Sequence, residues 1–206
     1  MYRFLFTFVM AVATYAAQAQ SVGDMFVNIP DSIFPYLDKN QRAELRNLKR
    51  LDDSTAAVLH SHFERDVTLN RCETELMELK IDSTLTIEMA RVATVNGDSL
   101  YCLLRTVAVP ERETMAYIYN NVWEKVADVV FDDVTLLQRP DTMSQENFAE
   151  LEKLIEFRMV EAHFSDAGTL VLQQNVPMTS KEDKTRLQAI LTQRKLKWDG
   201  KTYKIN

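Results

Sequence analysis

Apolar and polar residues change their spacing along this chain, and each change marks a different kind of element. In DMFVNIPDSIFPYLDKNQRAELRNLKRL, residues 24–51, the spacing is helical. Asp31 after Pro30 starts a short helix through Phe34. Pro35 then resets the path, because the residue before a proline is pushed out of the helical region. Asp38 with Gln41 three residues on predicts a capping box for a second helix. Leu45 and Leu48 form its apolar face, and Arg42, Arg46, Lys49 and Arg50 face water. The basic cluster could serve a partner, but a solvated face is the simpler reading.

From about residue 55 to 131 the spacing becomes that of strands. Leu76, Met77, Leu79 and Ile81 lead to a turn at Asp82-Ser83. Leu85, Ile87 and Met89 continue to Val95 and to Asn96-Gly97, a strong hairpin signal in which glycine supplies positive φ. The run LYCLLRTVAV, 100–109, is apolar at nearly every position, so this strand is covered on both faces. Helices are expected on one side and, on the other, the N-terminal helices or a second copy of the protein. Pro110 ends the strand because it cannot donate to the ladder. Met115, Tyr117 and Tyr119 then alternate with Ala116 and Ile118, and Asn120-Asn121 turns the chain into Val122-Trp123. Tyr117, Tyr119 and Trp123 read as core rather than as a ligand platform.

The last third repeats one plan. PDTMSQENFAELEKLIEFRM has Thr142 or Ser144 as N-cap and Phe148, Leu151 and Ile155 on one face. EAHFSDAGTLVLQQ follows as a hairpin turning at Ser165–Gly168. TSKEDKTRLQAILTQ then has Thr179 and Glu182 as a capping box and Leu187, Ile190 and Leu191 as its face. KLKWDGKTYKI closes as a hairpin at Asp199-Gly200. Of four glycines, three (Gly97, Gly168 and Gly200) fall in these turns, where their freedom is needed. The expected fold is α+β: an antiparallel meander sheet with N-terminal helices, followed by two helix-then-hairpin units.

The N-terminus changes the compartment. MYRFLFTFVMAVATYAAQAQ has Arg3 as its one early charge, an apolar or small-residue run from Phe4 to Ala17, and small residues at Ala17 and Ala19 before Gln20. This reads as a secretory signal peptide, residues 1–19, cleaved between Ala19 and Gln20. The run is shorter than the roughly 20 apolar residues a membrane anchor needs. Residues 20–206 then form a single α+β domain, with 135–143 as the place where it would divide. No second long apolar stretch follows, so no membrane insertion is expected after cleavage. Loss of Arg3 leaves 23 basic against 30 acidic residues, 23 − 30 = −7. An acidic chain without a basic run is a poor partner for nucleic acid.

Two cysteines in an exported chain suggest a disulfide, but the turns argue otherwise. Two-residue turns at 82–83 and 96–97 set Cys72 opposite Ala93 and Cys102 opposite Arg91. The cysteines then lie on strands either side of 84–95, roughly 10 Å apart, against a bridging limit of about 7 Å. Two buried free thiols, acting as small apolar residues, are expected.

NIPDSIFPYLDKNQRAEL, ELMELKIDSTLTIEMA and TVAVPERETMAYIYNNVW, in that order, resemble an exported Bacteroidales family of unknown function (domain of unknown function 3256). The resemblance is clearest over residues 22–130. It matches the family pattern at Thr106, Val107, Pro110, Tyr117, Tyr119 and Trp123, with Thr114 where the family has serine. Many members carry cysteines around the proline. This chain has Ala108, Glu111 and Arg112 there, so a family disulfide at that place would be missing. The resemblance implies location and fold and brings no activity.

His60, His62 and Glu64 are the sharpest chemical cluster. On a strand, all three would share one face and offer two imidazoles and a carboxylate to a metal. A polar strand face is the simpler reading, so no metal, cofactor or catalytic residue is assigned. Cys72 and Cys102 are too few for structural zinc. Nucleophile elbows, phosphate loops and dinucleotide fingerprints are absent from the sequence. Asp52-Asp53, Asp132-Asp133 and Glu182-Asp183 could include a glycosidase pair but read as solvated charge. The expected function is a non-enzymatic binding module of the periplasm or cell envelope, or one secreted. Its partner would be an envelope protein or glycan, and a homo-oligomer is compatible with it. The alternative is a hydrolase of an envelope or dietary polymer, using unplaced carboxylates or the His60/His62/Glu64 set.

Overall fold

The structure, a computed structural model, describes residues 20–205. The leader reading and Ala19 therefore lie outside the described residues. Helices α1 (Val22–Val27) and α2 (Lys39–Leu51) precede seven strands. These are β1 (Ala57–His60), β2 (Asp66–Cys72), β3 (Leu76–Lys80), β4 (Leu85–Ala93), β5 (Ser99–Ala108), β6 (Arg112–Tyr119) and β7 (Lys125–Val129). They form one antiparallel meander in chain order. After it come α3 (Gln145–Glu152), β8 (Met159–Asp166), β9 (Thr169–Asn175), α4 (Lys181–Leu187), β10 (Arg194–Trp198) and β11 (Tyr203–Ile205). The last four strands join in a second antiparallel sheet, ordered β11-β10-β9-β8. The fold is α+β with antiparallel sheets.

The first helix starts earlier than its apolar spacing suggests. Ser21 caps α1 through the Asp24 N–H, and Pro30–Phe34 makes only a turn, with Ile33 and Phe34 N–H both on the Pro30 carbonyl. The capping box of α2 forms as expected between Asp38 and Gln41. Its basic residues do not all face water: Arg42 is 2% exposed and Lys49 4%. Arg42 donates to the carbonyls of Val27, Ile29 and Leu37 and to the Asp31 carboxylate. The loop between the helices has no ladder of its own, so its carbonyls need a buried donor, and a planar guanidinium can serve several at once. Lys49 does the same for the carbonyls of Asp53 and Thr55.

β5 is buried on both faces at Tyr101, Cys102, Leu103 and Leu104. On one side Tyr101 and Leu103 meet Val22, Met25, Phe26 and Leu45 of the helices. On the other, Cys102 and Leu104 meet Ala162, Phe164, Leu170 and Leu172. The second cover is therefore a sheet of the same chain rather than more helix or another copy. β8 reaches the large sheet by its free edge. Thr114 Oγ1 accepts from Ala162 N–H at 2.9 Å and donates to the Ala162 carbonyl at 3.3 Å. Glu88 accepts from Phe164 N–H at 3.0 Å. The third cluster, Leu151, Val176, Leu187 and Ile190, holds α3 and α4. Ser144 caps α3. The α4 cap is Ser180 with Asp183, one residue past Thr179, whose hydroxyl donates to the Pro177 carbonyl instead.

Both hairpins around β4 are one residue longer than the two-residue turns predict. Asp82 Oδ1 accepts from the N–H groups of Thr84 and Leu85, and Thr94 Oγ1 from those of Asn96 and Asp98. A polar side chain that captures N–H groups further on stabilises a wider loop. Gly97 keeps its expected positive φ, 88°. A shift of one residue exchanges the faces, so Cys102 pairs with Ala90 rather than Arg91. Cys72 sits on β2 opposite Met77, not opposite Ala93. In the 120–123 turn the left-handed residue is Trp123, at φ 65°, its buried ring 5.5 Å from that of Tyr119.

Both cysteines are free, Cys102 buried and Cys72 half-buried. Three strand spacings separate β2 from β5, about 14 Å. Cys72 packs toward the helices and Cys102 toward the second sheet, which keeps the thiols apart whatever the register. Burial raises the pKa of each thiol. Titration of denatured, unreduced protein should therefore find two thiols per chain. In the native state Cys72 should react first and Cys102 only on unfolding; equal native rates would contradict the placement. Arg42→Leu should lower stability by about 3 kcal/mol in urea melts, because it leaves carbonyls unpaired. Arg50→Ala, on the exposed side of the same helix, should change it by less than about 0.5 kcal/mol.

Candidate functional site

The turn after Pro110 builds the best-formed polar site. Pro110 closes β5, and the chain re-enters the sheet at Arg112. Glu111 accepts from Lys184 of α4. Arg112 ion-pairs with Glu161, a buried residue of β8. The other Glu161 oxygen accepts from Gln173 at 2.6 Å and from Asn175 at 3.3 Å. Asn175 also donates to the Arg112 carbonyl at 2.7 Å, and Gln193 donates to Gln173 at 3.1 Å. Buried polar groups persist when fully partnered in this way.

Beside this network lies a cleft of about 460 Å³ between the 111 turn, the end of β9 and the region of α4. Its wall carries Gln173, Gln174, Asn175, Gln188 and Gln193 over Leu187 and Leu191. An amide carries both donors and acceptors without charge; Gln173 and Asn175 engage theirs largely within the network, and Gln188 and Gln193 are exposed. The neighbouring carboxylates are engaged, Glu111 by Lys184 and Glu161 by Arg112. Such a surface suits a neutral ligand rich in hydroxyl or amide groups.

The three metal candidates do not converge. β1 ends at His60, and His62 and Glu64 follow in a turn where Glu64 has φ 56°. Without a continuing strand, the alternation that would put them on one face is lost. His60 contacts Asp66 at 2.9 Å, and His62 contacts Asp38 at 3.3 Å. The paired acids are also dispersed. Asp52 binds the hydroxyls of Ser54 and Thr55, Asp53 lies near Lys49, and Asp183 meets Ser180 and Arg186. Tyr119 and Trp123 are core residues as expected, with Tyr117 packed against them half-exposed.

Sequence spacing gave no notice of the cleft, whose residues come from three distant segments. Its one local signal is the polar triplet Gln173-Gln174-Asn175 closing an apolar strand. Nor did spacing single out Glu88. Burial between the sheets pushes its carboxyl up from 4.5 to about 7, against the lowering effect of the Phe164 N–H bond. Glu78 and Glu161 add to the rise and Arg112 opposes it.

The family described as "Protein of unknown function (DUF3256)" matches residues 14–203. The chain belongs to that family. No curated protein matches. A solved structure, described as a domain of an uncharacterized protein from Porphyromonas gingivalis W83, is similar at TM-score 0.71 and 16% identity. The match covers 91% of this chain and 100% of that one, and at this identity it bears on the fold alone. That family is of unknown function, so membership assigns the cleft no role.

Glu88 gives a pH test of the sheet contact. Between about pH 4.5 and 7 the folded chain holds a proton that the unfolded chain has released, so its contribution to stability falls as pH rises through that window. Glu88→Gln keeps an acceptor for Phe164 N–H and removes the charge. It should raise stability near pH 8 by about 2 kcal/mol and leave it unchanged near pH 4, read from urea midpoints. An equal effect at both pH values would show that Glu88 does not titrate in this window.

Proposed function

We propose that this family member is an exported, non-enzymatic binding module of the periplasm or cell envelope, and that its cleft takes a neutral glycan chain. The cleft wall carries the reading. Five side-chain amides, of which Gln188 and Gln193 are exposed, lie beside carboxylates ion-paired to Lys184 and Arg112. That arrangement favours exchange of hydrogen bonds with hydroxyls over proton transfer to a scissile bond. Export rests on the leader-like sequence of residues 1–19, and cleavage before Gln20 would keep the contacts at the start of the fold. Ser21 caps α1, and the Tyr101 hydroxyl donates to the Gln20 carbonyl at 2.8 Å.

Immobilised protein starting at Gln20 should capture carbohydrate from an envelope extract, measured as bound sugar after washing. Gln188→Ala combined with Gln193→Ala alters two exposed cleft positions and should cut capture about tenfold, the loss of one or two hydrogen bonds. Equal capture by the variant would remove the cleft from the reading. Shortening of the glycan during incubation would make the chain a hydrolase instead.

A further inference from the structure

At the end of β9 the fold leaves one side chain incomplete. Alternation puts Leu170, Leu172 and Gln174 on the same face of the strand, and Val176 follows just past it. Leu170 and Leu172 are buried between the sheets, and Val176 in the cluster that holds α3 and α4. Gln174 interrupts this apolar row and is 7% exposed. Among the described residues its side-chain amide has no hydrogen-bond partner, whereas those of Gln173 and Asn175 donate to Glu161. The Gln174 amide is not one of the sealed side-chain groups, so its remaining surface opens on the cleft it lines. A leucine would continue the row, and a buried amide without a partner is costly by comparison. What completes Gln174 must come through the cleft.

The surroundings define that partner. The β9–β10 ladder starts at Arg194, opposite Leu172, so Gln174 lies beyond it and shares the cleft with Leu191 and Thr192. Leu191 is half-buried, and with Val176 it gives the cleft an apolar wall beside the amide. The charged residues of the cleft, Glu111 and Lys184, are paired with each other. A charged group on the ligand would therefore find no free counter-ion. A primary amide offers a donor pair on one arm and an acceptor on the other. It is matched by a ligand carbonyl beside a ligand hydroxyl, and the wall is matched by a small apolar group attached to that carbonyl.

We propose that the cleft selects N-acetylated amino sugars and that Gln174 is the residue that recognises them, an inference that rests on the glycan reading above. The acetamido carbonyl accepts from the Gln174 Nε2–H groups, and a neighbouring sugar hydroxyl donates to Oε1. The acetyl methyl lies against Val176 and Leu191. A sugar with a hydroxyl in place of the acetamido group leaves that wall uncovered, and one with a free amine brings a charge that the cleft does not balance.

Chitotriose and cellotriose share one backbone and linkage and differ in the acetamido group, so the pair tests the assignment. Binding is measured by calorimetry, and the Gln174 side-chain N–H signals are followed by NMR. Chitotriose should bind, shift those signals to saturation, and bind about tenfold or more tighter than cellotriose. Gln174→Leu breaks no hydrogen bond within the chain, so its urea midpoint should hold or rise while its affinity for chitotriose falls to that for cellotriose. A lowered midpoint would show that the amide serves the fold and would overturn its role in recognition. Equal binding of the two sugars, with the Gln174 signals unmoved, would overturn the acetamido assignment and leave the glycan reading standing. Binding of neither would also overturn the assignment, and capture from the envelope extract would then decide the glycan reading by itself.

Discussion

Strand β8 presents its outer backbone edge to the face of the large sheet, where Thr114 and Glu88 take up the N–H groups of Ala162 and Phe164. A strand edge is a row of polar groups, and burying it is costly unless each finds a partner. Here the partners are side chains rising from another sheet. Thr106, hydrogen-bonded to Thr114 at 2.8 Å, steadies that hydroxyl from the neighbouring strand. The rest of the second sheet follows from this contact. With β8 seated, Leu170 and Leu172 of β9 and Leu196 of β10 close over Cys102 and Leu104. The Trp198 indole N–H reaches the Ala93 carbonyl at the far side at 2.6 Å.

The same contact explains where the polar site lies. Arg112 follows the turn that ends β5, two residues before Thr114, and Glu161 precedes Ala162. Seating Thr114 on Ala162 therefore brings the arginine to the glutamate. Glu161 then gathers Gln173 and Asn175, and these side chains line the cleft. The Pro-Glu-Arg turn, in sequence a plain strand connection, thus ties the meander to both later structural units.

Much of the fold was legible because it depends on local chemistry. The Asp38–Gln41 box, the meander, the double-sided burial of 101–104 and the turns at Gly168 and Gly200 follow from spacing and turn residues. What failed depended on longer reach. Arg42 and Lys49 are spaced like solvated residues and are buried because a loop's carbonyls need donors. Asp82 and Thr94 widened two turns by capturing N–H groups, and that reversed the predicted cross-strand partners while leaving the strands in place. The His60/His62/Glu64 reading required a strand that ends at its first member. The cleft residues are set together only by the docking of the second sheet, which no spacing along the chain encodes.

Docking β8 by its edge also bears on how copies of the chain meet one another. Open strand edges invite pairing between molecules and lead to fibres. In the second sheet, the long edge is occupied by Thr114 and Glu88, and the other edge is β11, three residues long. In the large sheet, β1 spans only four residues. β7 carries Lys125 and Asp128 beside a bulge at Ile118/Tyr119, and both charges and bulges discourage added strands. The side chains that hold the two sheets together thereby remove the longest template for self-assembly.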